Sequence, residues 1–372
     1  MIEAVVNQDI IITVSSEKIG LWNLISGEQY EIYERSYWAR IFELVSRPDL
    51  LDFSKSEDVG LYEAGLILIN EDARNYERNL QSNGNWGWDQ ISRIFHLGSK
   101  HITMDDGVIN DTTKREIGYL DYCESIFPNI PEIEIEREGE LIELPPYDGQ
   151  AFRSETLEKT LRARSTSRKF VKDPISLQAV ANILYMTFGK IHGDLRKDEM
   201  EQRGLVTVGY RRSSPSAGSL QATEAYIIVQ NVEGLAAGVY HYRSHQHKLT
   251  LLSTDLTIPL DKALCYQDFA LDAGLLVILT SRFDKLWWKY PHSRAYRSAL
   301  MDVGHLSQTF NLVTTAHGLN TWLTGFFIDD LLNQQLRIDS HKEHTIFVLA
   351  AGHGAPDPVN PGIELALASL RA

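Results

Sequence analysis

Residues 210–230 read YRRSSPSAGSLQATEAYIIVQ, and this stretch decides the fold of the larger part of the chain. Serine, proline, alanine and glycine fill positions 213–219, which predicts a loop whose backbone amides can approach a ligand closely. An aromatic and β-branched run follows at positions 223–229 and predicts a buried strand. The stretch is thus predicted to form a loop, a short helix and a strand. Taken alone, a run of small residues like 213–219 is more often an ordinary loop than a ligand site.

The flanking sequence predicts further strands and two prominent helices. A hairpin is expected at 238–252, and buried strands at 273–280 and 345–351. One helix is expected from Ser176, a favourable N-cap, to the residue before Gly189. A long helix is expected over 291–317, followed by Gly318 as a C-cap. Five apolar residues of this long helix share one face, which must cover a sheet or a partner helix: Ala299, Val303, Leu306, Phe310 and Val313.

Composition limits the class of protein. The chain has 372 residues, of which 43% are apolar and 23% charged, as in soluble globular proteins of two or three domains. Its 36 basic and 50 acidic residues give a net charge of −14, which disfavours nucleic acid and anionic membranes as partners. Two distant cysteines, Cys123 and Cys265, indicate a reducing compartment, and no signal-peptide pattern is seen. We therefore expect a soluble, cytoplasmic protein.

Three regions differ in character along the chain. Residues 1–75 predict a small winged-helix-like α/β domain with hairpins, helices and a closing strand. Residues 76–150 predict a polar helical region and then an extended linker, because the segment 127–149 is rich in proline and glutamate. Residues 151–372 form the densest part. A domain boundary is thus expected near residue 150.

A basic cluster at 162–168 is a candidate phosphate site. Arg162, Arg164 and Arg168 flank three hydroxyl residues, and guanidinium groups bind phosphate bidentately. The cluster is conspicuous in an acidic chain. A solvated helix end is, however, the more frequent explanation of such a run on composition alone.

The sequence Trp287-Trp288-Lys289-Tyr290 is a candidate acid/base unit. A lysine beside two tryptophans can be desolvated, which lowers its pKa and makes it a usable base. Tyr290 could hold or relay the proton. The ordinary alternative is a surface lysine with aromatic neighbours.

The remaining motif searches predict neither a metal site nor a nucleotide-hydrolysing loop. Histidines occur at 241, 245 and 247 around a predicted turn, and at 341 and 344 in a charged loop, without converging ligands. No Gly-x-Gly-x-x-Gly and no Walker A pattern is present.

Taken together, in this order and spacing, the motifs resemble the nitroreductase-like flavin family, and within it the SagB-type dehydrogenases. That branch oxidises azolines in thiazole- and oxazole-containing peptides. Residues 164–170 are similar to its Arg-Arg-Ser-x-Arg-x-Phe motif, and 215–218 to its Pro-Ser-Ala-Gly loop. Residues 238–242 match Gly-x-Tyr-His-Tyr. Residues 289–305 are similar to a segment in which Lys-Tyr is followed by Arg-x-Tyr-Arg and then by Gly-His, here Lys289, Tyr290, Arg294, Tyr296, Arg297, Gly304 and His305. The resemblance covers residues 155–356.

The resemblance implies an α+β fold with a mostly antiparallel central sheet flanked by helices. It also implies FMN as cofactor and a homodimer whose long helices meet, with each FMN site formed by both chains. Lys289 and Tyr290 are implied to be the catalytic acid/base unit. The residues implied to bind FMN are Arg164, Thr166, Arg168, Pro215, Ser216, Ala217, Gly218, Thr324 and Gly325.

Two departures from the family pattern concern the phosphate. Ser165 replaces the second arginine of the first motif, and the loop after the last strand offers only His353. We therefore add Arg212 as a compensating phosphate ligand.

The expected activity is oxidation of a thiazoline or oxazoline ring, with proton loss from one carbon and hydride transfer from its neighbour to flavin N5. The winged-helix-like region is expected to bind a peptide leader, and a cyclodehydratase is an expected partner. Three alternatives stay open: an NAD(P)H-dependent nitroreductase or flavin reductase, a Cα–Cβ desaturase of a peptide-type substrate, and a flavin-free scaffold subunit of a synthetase complex.

Overall fold

The computed structural model describes residues 3–82, 86–100, 111–193, 196–203, 210–356, 359 and 361–371. The chain divides into two compact units, Met1–Asp106 and Gly107–Ala372. This division lies well before residue 150, where the sequence suggested a boundary. The reason is that the described segment from residue 111 onward packs within the second unit and adds a strand to its sheet.

The first unit is a small α/β assembly. Its strands are β1 (Ala4–Val6), β2 (Ile10–Val14), β3 (Ile19–Asn23), β4 (Gln29–Ile32) and β5 (Ile67–Ile69). Its described helices are α1 (Arg35–Ser46), α2 (Ser56–Glu63), α3 (Asn70–Ser82) and α4 (Gln90–Gly98). Strands β2, β3 and β4 form an antiparallel meander, and β1 pairs with β5. A small α/β region therefore stands at the N-terminus, as the sequence predicts.

A buried ion pair fixes α1 against α2 in this unit. The Arg40 Nε donates to Asp58 Oδ1 at 2.6 Å, and Arg40 Nη2 donates to the Leu50 carbonyl oxygen at 2.7 Å. The Asp58 side chain is fully buried. Around the pair lies an apolar core that includes Ile41 and Leu44.

The second unit is built on one large sheet. Its strands are β6 (Glu140–Glu143), β7 (Phe170–Val171), β8 (Thr223–Val229), β9 (Gly238–Arg243), β10 (Lys248–Ser253), β11 (Leu275–Arg282), β12 (Asn320–Thr324) and β13 (Glu343–Gly354). The order is β12-β13-β11-β8-β9-β10-β6, with β7 on the end of β13. Every pairing among these strands is antiparallel, which confirms the predicted sheet type.

Helices cover both faces of this sheet. The described helices of this unit are α5 (Thr112–Ile126), α6 (Leu157–Ala163), α7 (Leu177–Phe188), α8 (Lys197–Glu201), α9 (Leu260–Ala263), α10 (Phe283–Lys289), α11 (Ala295–Ala316), α12 (Asp329–Leu336) and α13 (Pro361–Arg371). On one face, Phe188 of α7 and Phe310 of α11 pack with Ile227 of β8. On the other, Leu332 of α12 packs with Ile278 of β11. Helix α11 begins just after the segment that contains Tyr290 and ends just before β12.

Local signals placed the two main helices correctly. The Ser176 side chain accepts a hydrogen bond from the Ala179 N–H, so it is the N-cap of α7, and Gly189 follows the helix. Helix α11 buries Val303 and Phe310 on the sheet, and Gly318 has φ +73° beyond its end. The helix begins at Ala295 rather than at 291, since Pro291 and the next residues form a turn.

The segment expected to be an extended linker contributes to the sheet instead. Strand β6 pairs with β10 and forms one edge of the sheet, with Leu249 opposite Ile142. Ile142 packs on the main core, and the Lys248 Nζ lies 2.6 Å from Glu143 Oε1. Alternation of apolar and acidic residues therefore marked a half-buried edge strand. No helix in the described part of the chain is long and apolar enough to cross a membrane.

Candidate active site

Lys289 is the last residue of α10, and its side chain is only 9% exposed. The Nζ contacts the Gly218 carbonyl oxygen at 3.4 Å. Helix α5 holds the same turn, because Tyr122 Oη donates to the Lys289 carbonyl oxygen at 2.8 Å and Trp288 Nε1 donates to the Ile126 carbonyl oxygen at 2.9 Å. Burial lowers the pKa of Lys289, because the charged ammonium loses water.

Gly218 stands where no other residue fits. Its φ is +57°, in the left-handed region. A Cβ at this position would lie 2.4 Å from Tyr290 Oη and 3.2 Å from Lys289 Nζ. The missing side chain thus lets the backbone of the Pro-Ser-Ala-Gly loop (residues 215–218) reach both predicted catalytic residues.

Tyr290 is half-buried beside this loop. Burial raises the pKa of Tyr290, so its phenol stays protonated over the physiological range. A lysine with a lowered pKa next to a tyrosine with a raised pKa forms a base and a hydrogen-bond donor. Tyr290 also lines a cavity of about 380 Å³ with Ala217 and Arg294.

Asp302 of α11, which the motif analysis missed, fixes the Pro-Ser-Ala-Gly loop. Its Oδ2 accepts from Ser216 Oγ at 2.9 Å, and its two oxygens accept the Ala217 N–H at 3.1 and 3.0 Å. The carboxyl is 5% exposed, and burial raises its pKa. The available signal was an acidic residue three positions after Ala299, on the predicted apolar face of the helix.

Lys285, one turn before Lys289, supports the segment after the loop. Its Nζ lies 3.4 Å from the Gln221 carbonyl oxygen and 3.9 Å from Glu224 Oε1. Burial lowers the pKa of Lys285 to about 8. Burial alone would raise the pKa of Glu224, but the hydrogen bond with His241 and the Lys285 charge bring it to about 2. Lys285 was also missed, although its i, i+4 spacing from Lys289 placed both lysines on one helix face.

The arginine segment (residues 164–168) lies along β12. The Ser167 N–H donates to the Thr321 carbonyl oxygen at 2.8 Å, and Thr166 bridges to the same strand. Arg164 is half-buried and Arg168 exposed. Within the described part of the chain, neither guanidinium has a hydrogen-bonding or ionic partner. Two unpaired guanidinium groups beside a strand can bind an anion.

The turn after β12 carries the predicted residues Thr324 and Gly325. Thr324 Oγ1 accepts the Phe326 N–H at 2.9 Å and donates to Gln267 Oε1 at 3.1 Å. Gln267 Nε2 in turn donates to the Phe326 carbonyl oxygen at 2.6 Å. Gln267 is a third residue that no motif indicated, and it holds the exposed Gly325 in place.

Arg212 does not lie with these residues. It is 4% exposed, and its Nε, Nη1 and Nη2 donate to the Phe188 carbonyl oxygen, the Thr223 carbonyl oxygen and Ser244 Oγ at 2.9, 2.8 and 3.0 Å. All three nitrogens thus bind the protein's own oxygens. We leave Arg212 out of the proposed site.

The predicted residues fall into two groups within one chain. Arg168 lines a cavity of about 440 Å³ with Tyr266 and Phe269. Lys289 and Tyr290 line other cavities, which share no residue with it. One group lies beside the edge strand β12, and the other beside α10 and the start of α11.

The histidines are engaged in the protein's own contacts. His241 is buried, with Nε2 at 3.2 Å from Glu224 Oε2, and His247 Nδ1 lies 2.8 Å from Tyr242 Oη. His344 Nε2 lies 3.2 Å from Asp329 Oδ1. In the described ranges, no group of three or more His, Cys, Asp or Glu residues is placed to hold a metal ion.

Comparison with known proteins gives relatives in two classes. The protein MJ1384 of Methanocaldococcus jannaschii, which bears a nitroreductase name, is 28% identical over 197 residues, or 53% of this chain and 90% of that protein. The trifolitoxin operon protein TfxC of Rhizobium leguminosarum bv. trifolii is 22% identical over 296 residues, 78% of this chain and 79% of that protein. The trifolitoxin-processing protein TfxB of the same organism is 28% identical over 138 residues, 36% of this chain and 37% of that protein.

The family model described as "Nitroreductase family" matches residues 161–353. The match includes the arginine segment, the Pro-Ser-Ala-Gly loop, α10 with Lys289, α11, and the turn at Gly325. It spans more than half of the 372 residues. On this match, and with the antiparallel sheet and its flanking helices, the chain belongs to the nitroreductase family.

Proposed function

We propose that the protein is an FMN-dependent dehydrogenase that oxidises azoline rings of a modified peptide to azoles. The observation that carries the proposal is Lys289, a buried lysine in contact with the Gly218 carbonyl oxygen and adjacent to Tyr290. A flavin enzyme that only shuttles hydrides has no need of a desolvated amine, whereas aromatisation of an azoline requires a base.

FMN fits the groups that this chain presents. Arg164 and Arg168 would hold the phosphate with Thr166, because their guanidinium groups have no partner within the described residues. The exposed Gly325 turn and the Pro-Ser-Ala-Gly loop would each offer backbone groups to a flat ring. When bound, FMN supplies an acceptor for the hydride that the substrate ring loses.

The chain's own residues provide the proton chemistry. Lys289 Nζ, in its neutral form, takes the proton from one ring carbon as the neighbouring carbon loses its hydride. Tyr290 donates a hydrogen bond and holds the ring or the lysine in place. The wall formed by Trp288 and α5 limits water around the amine. Desolvation disfavours the ammonium and so favours the neutral form that accepts the proton.

A second copy of the chain would complete the site. Apolar side chains are exposed on one side of α11 and on α6, namely Tyr296, Leu300, Met301, Leu157 and Leu161. Exposed apolar helix faces of this kind mark protein–protein contact. A homodimer formed through these helices would build each site from the arginine segment of one chain and the Lys289 group of the other.

The peptide nature of the substrate is supported by the relatives. TfxB is named a trifolitoxin-processing protein and TfxC a trifolitoxin operon protein, and TfxC aligns with most of this chain. In the first unit, the meander β2-β3-β4 leaves β2 and β4 as its edges, so a leader peptide could add as a further strand. A cyclodehydratase that forms the azoline would be the partner enzyme.

A small-molecule nitroreductase is the second candidate, because the family model and MJ1384 bear that name. The visible spectrum of the purified protein and the identity of the released flavin test the cofactor. Rapid reduction by NADPH would favour the nitroreductase. Reduction by an azoline peptide, with new azole absorption in the ultraviolet, would favour the proposed activity over both the nitroreductase and a Cα–Cβ desaturase. A colourless protein that takes up no FMN would favour the scaffold role.

A further inference from the structure

Helix α5 lies outside the residues matched by the family model, yet it contacts the proposed catalytic lysine. Two hydrogen bonds join it to the end of α10, from Tyr122 Oη to the Lys289 carbonyl oxygen and from Trp288 Nε1 to the Ile126 carbonyl oxygen. These bonds fix the backbone of Lys289 relative to α5. The side chains that α5 presents to Lys289 are therefore held at fixed positions.

The ring of Tyr119 faces the ammonium group. Lys289 Nζ lies 5.8 Å from the ring centroid, within the range of a cation–π interaction. Between the two residues is a cavity of about 80 Å³ whose other lining residues are Leu120, Cys123, Ile126, Met200 and Trp288. Most of this wall is apolar, so the ring replaces part of the water that an exposed ammonium would have.

We propose that Tyr119 is a positioning residue, whose aromatic face holds the Lys289 ammonium beside the Gly218 carbonyl oxygen. The inference rests on the proposed function, since that function makes Lys289 the base. The Gly218 carbonyl, at 3.4 Å, is a weak acceptor on its own. The ring supplies the second attraction for the charged form. Lys289 is buried, which strengthens the contact, whereas Tyr119 is 44% exposed.

Other titratable groups surround Lys289 in the described part of the chain. Cys123 lies on α5 and raises the pKa of Lys289, while burial, the larger effect, lowers it. Tyr290 follows Lys289 in sequence, and Asp302 faces the Pro-Ser-Ala-Gly loop from α11. Burial and, after it, the neighbouring Cys123 side chain raise the pKa of Tyr119. A test must therefore separate the ring of Tyr119 from its hydroxyl.

The test measures the pKa of Lys289 by nuclear magnetic resonance of ¹³C-labelled lysine in the full-length protein, with the signal assigned by its loss in Lys289→Arg. Tyr119→Phe keeps the ring and removes only the hydroxyl, so the pKa of Lys289 should stay at the wild-type value. Tyr119→Leu removes the ring, and the pKa should fall by about 0.5–1 unit. Phenylalanine analogues with increasing ring fluorination at position 119 should lower the pKa of Lys289 stepwise, while the shape of the ring is unchanged.

An unchanged pKa across the fluorinated series, or a rise in Tyr119→Leu, would overturn the inference. The fluorinated series also covers the case in which Tyr119→Leu does not fold. Because this readout needs no substrate, it is independent of the proposed activity. A shift as expected in a protein that leaves azoline peptides unchanged would refute the proposed function alone. Azoline oxidation that depends on Lys289, with no shift in any variant, would refute only the role of Tyr119.

Discussion

Asp302 accepts the backbone N–H of Ala217 with both carboxylate oxygens, at 3.1 and 3.0 Å, across 85 positions of sequence. This single contact ties the long helix α11 to the loop that touches Lys289 and Tyr290. A carboxylate that is buried to this extent is stable only when it is hydrogen-bonded, so the loop and the carboxylate depend on each other.

Replacing Asp302 tests that dependence. Asp302→Ala leaves the Ala217 N–H and Ser216 Oγ without their acceptor, and we expect a loss of about 1–3 kcal/mol in the free energy of unfolding. Turnover should fall as the loop loosens. Asp302→Asn retains one acceptor oxygen and should lie between wild type and alanine. Chemical denaturation and steady-state kinetics measure both effects, with the exposed Gln308→Ala on the same helix as control. Equal stability of all four proteins would contradict the role of Asp302.

The pH dependence of turnover follows from the burial of Lys289. The base is the neutral amine, so activity should increase as pH rises through the pKa of Lys289. Because burial lowers that pKa, the midpoint should lie below the usual lysine value of about 10.4. Tyr290 has a raised pKa and should remain protonated across this range. A pH–rate profile of flavin reduction measures the midpoint. A profile that falls with pH would mean that the ammonium form is required.

Gly218→Ala should damage the reaction more than the fold. The new Cβ would meet Tyr290 Oη at 2.4 Å and Lys289 Nζ at 3.2 Å, and alanine at φ +57° costs about 1–2 kcal/mol. Both catalytic side chains must move, so we expect at least a tenfold loss of turnover. Gly234→Ala, also at positive φ but with open space around its Cβ position, is the matched control for backbone strain. If the two variants lose the same activity, close approach at Gly218 has no catalytic meaning.

Arg164 and Arg212 should differ in what they affect. Arg164→Ala removes a guanidinium that has no partner among the described residues, so FMN retention should weaken while the melting temperature of the flavin-free protein stays near that of wild type. Arg212→Ala removes three internal hydrogen bonds and should lower that melting temperature. Flavin content and thermal unfolding of both proteins measure this. Unchanged FMN affinity in Arg164→Ala would remove it from the phosphate site.

In the N-terminal unit, the buried pair of Arg40 and Asp58 should make stability depend on pH. The hydrogen bond from Arg40 lowers the pKa of Asp58 below its usual value. The stabilisation is therefore complete above that usual value, about 3.9, and is lost as pH falls through the lowered one. Asp58→Ala removes the buried carboxylate and leaves the Arg40 guanidinium with Glu43 and the Leu50 carbonyl oxygen, and it should cost about 3 kcal/mol. Acid unfolding of wild type and variant should converge at low pH, and parallel curves would disprove the coupling.

Local signals in the sequence were sufficient for the main elements. Ser176 and Gly189 mark the ends of α7 because capping depends only on nearby residues. The regular spacing of apolar residues that includes Val303 and Phe310 identified the buried face of α11. The antiparallel sheet was implied by the family resemblance.

Contacts between distant residues were beyond the sequence. Asp302 and Gln267 act on loops far away in the chain. The position of Asp302 on the apolar face of α11 marks it as unusual but does not say which loop it binds, and no local pattern marks Gln267. Arg212 shows the converse, since a guanidinium suits backbone carbonyls as well as phosphate, and only burial reveals which it binds. The segment at 140–143 read as a linker because an edge strand with one solvated face has a weak apolar signal.

The central claim is that Lys289 is the base in a flavin-dependent azoline oxidation. The most direct measurement is anaerobic rapid mixing of the FMN-loaded protein with an azoline peptide, following flavin absorption and azole absorption together. Wild type should bleach as the azole appears, and Lys289→Ala should retain FMN but react at least about a hundredfold more slowly. Equal rates in the two proteins, or a wild-type flavin that stays oxidised with the peptide and bleaches with NADPH, would contradict the claim.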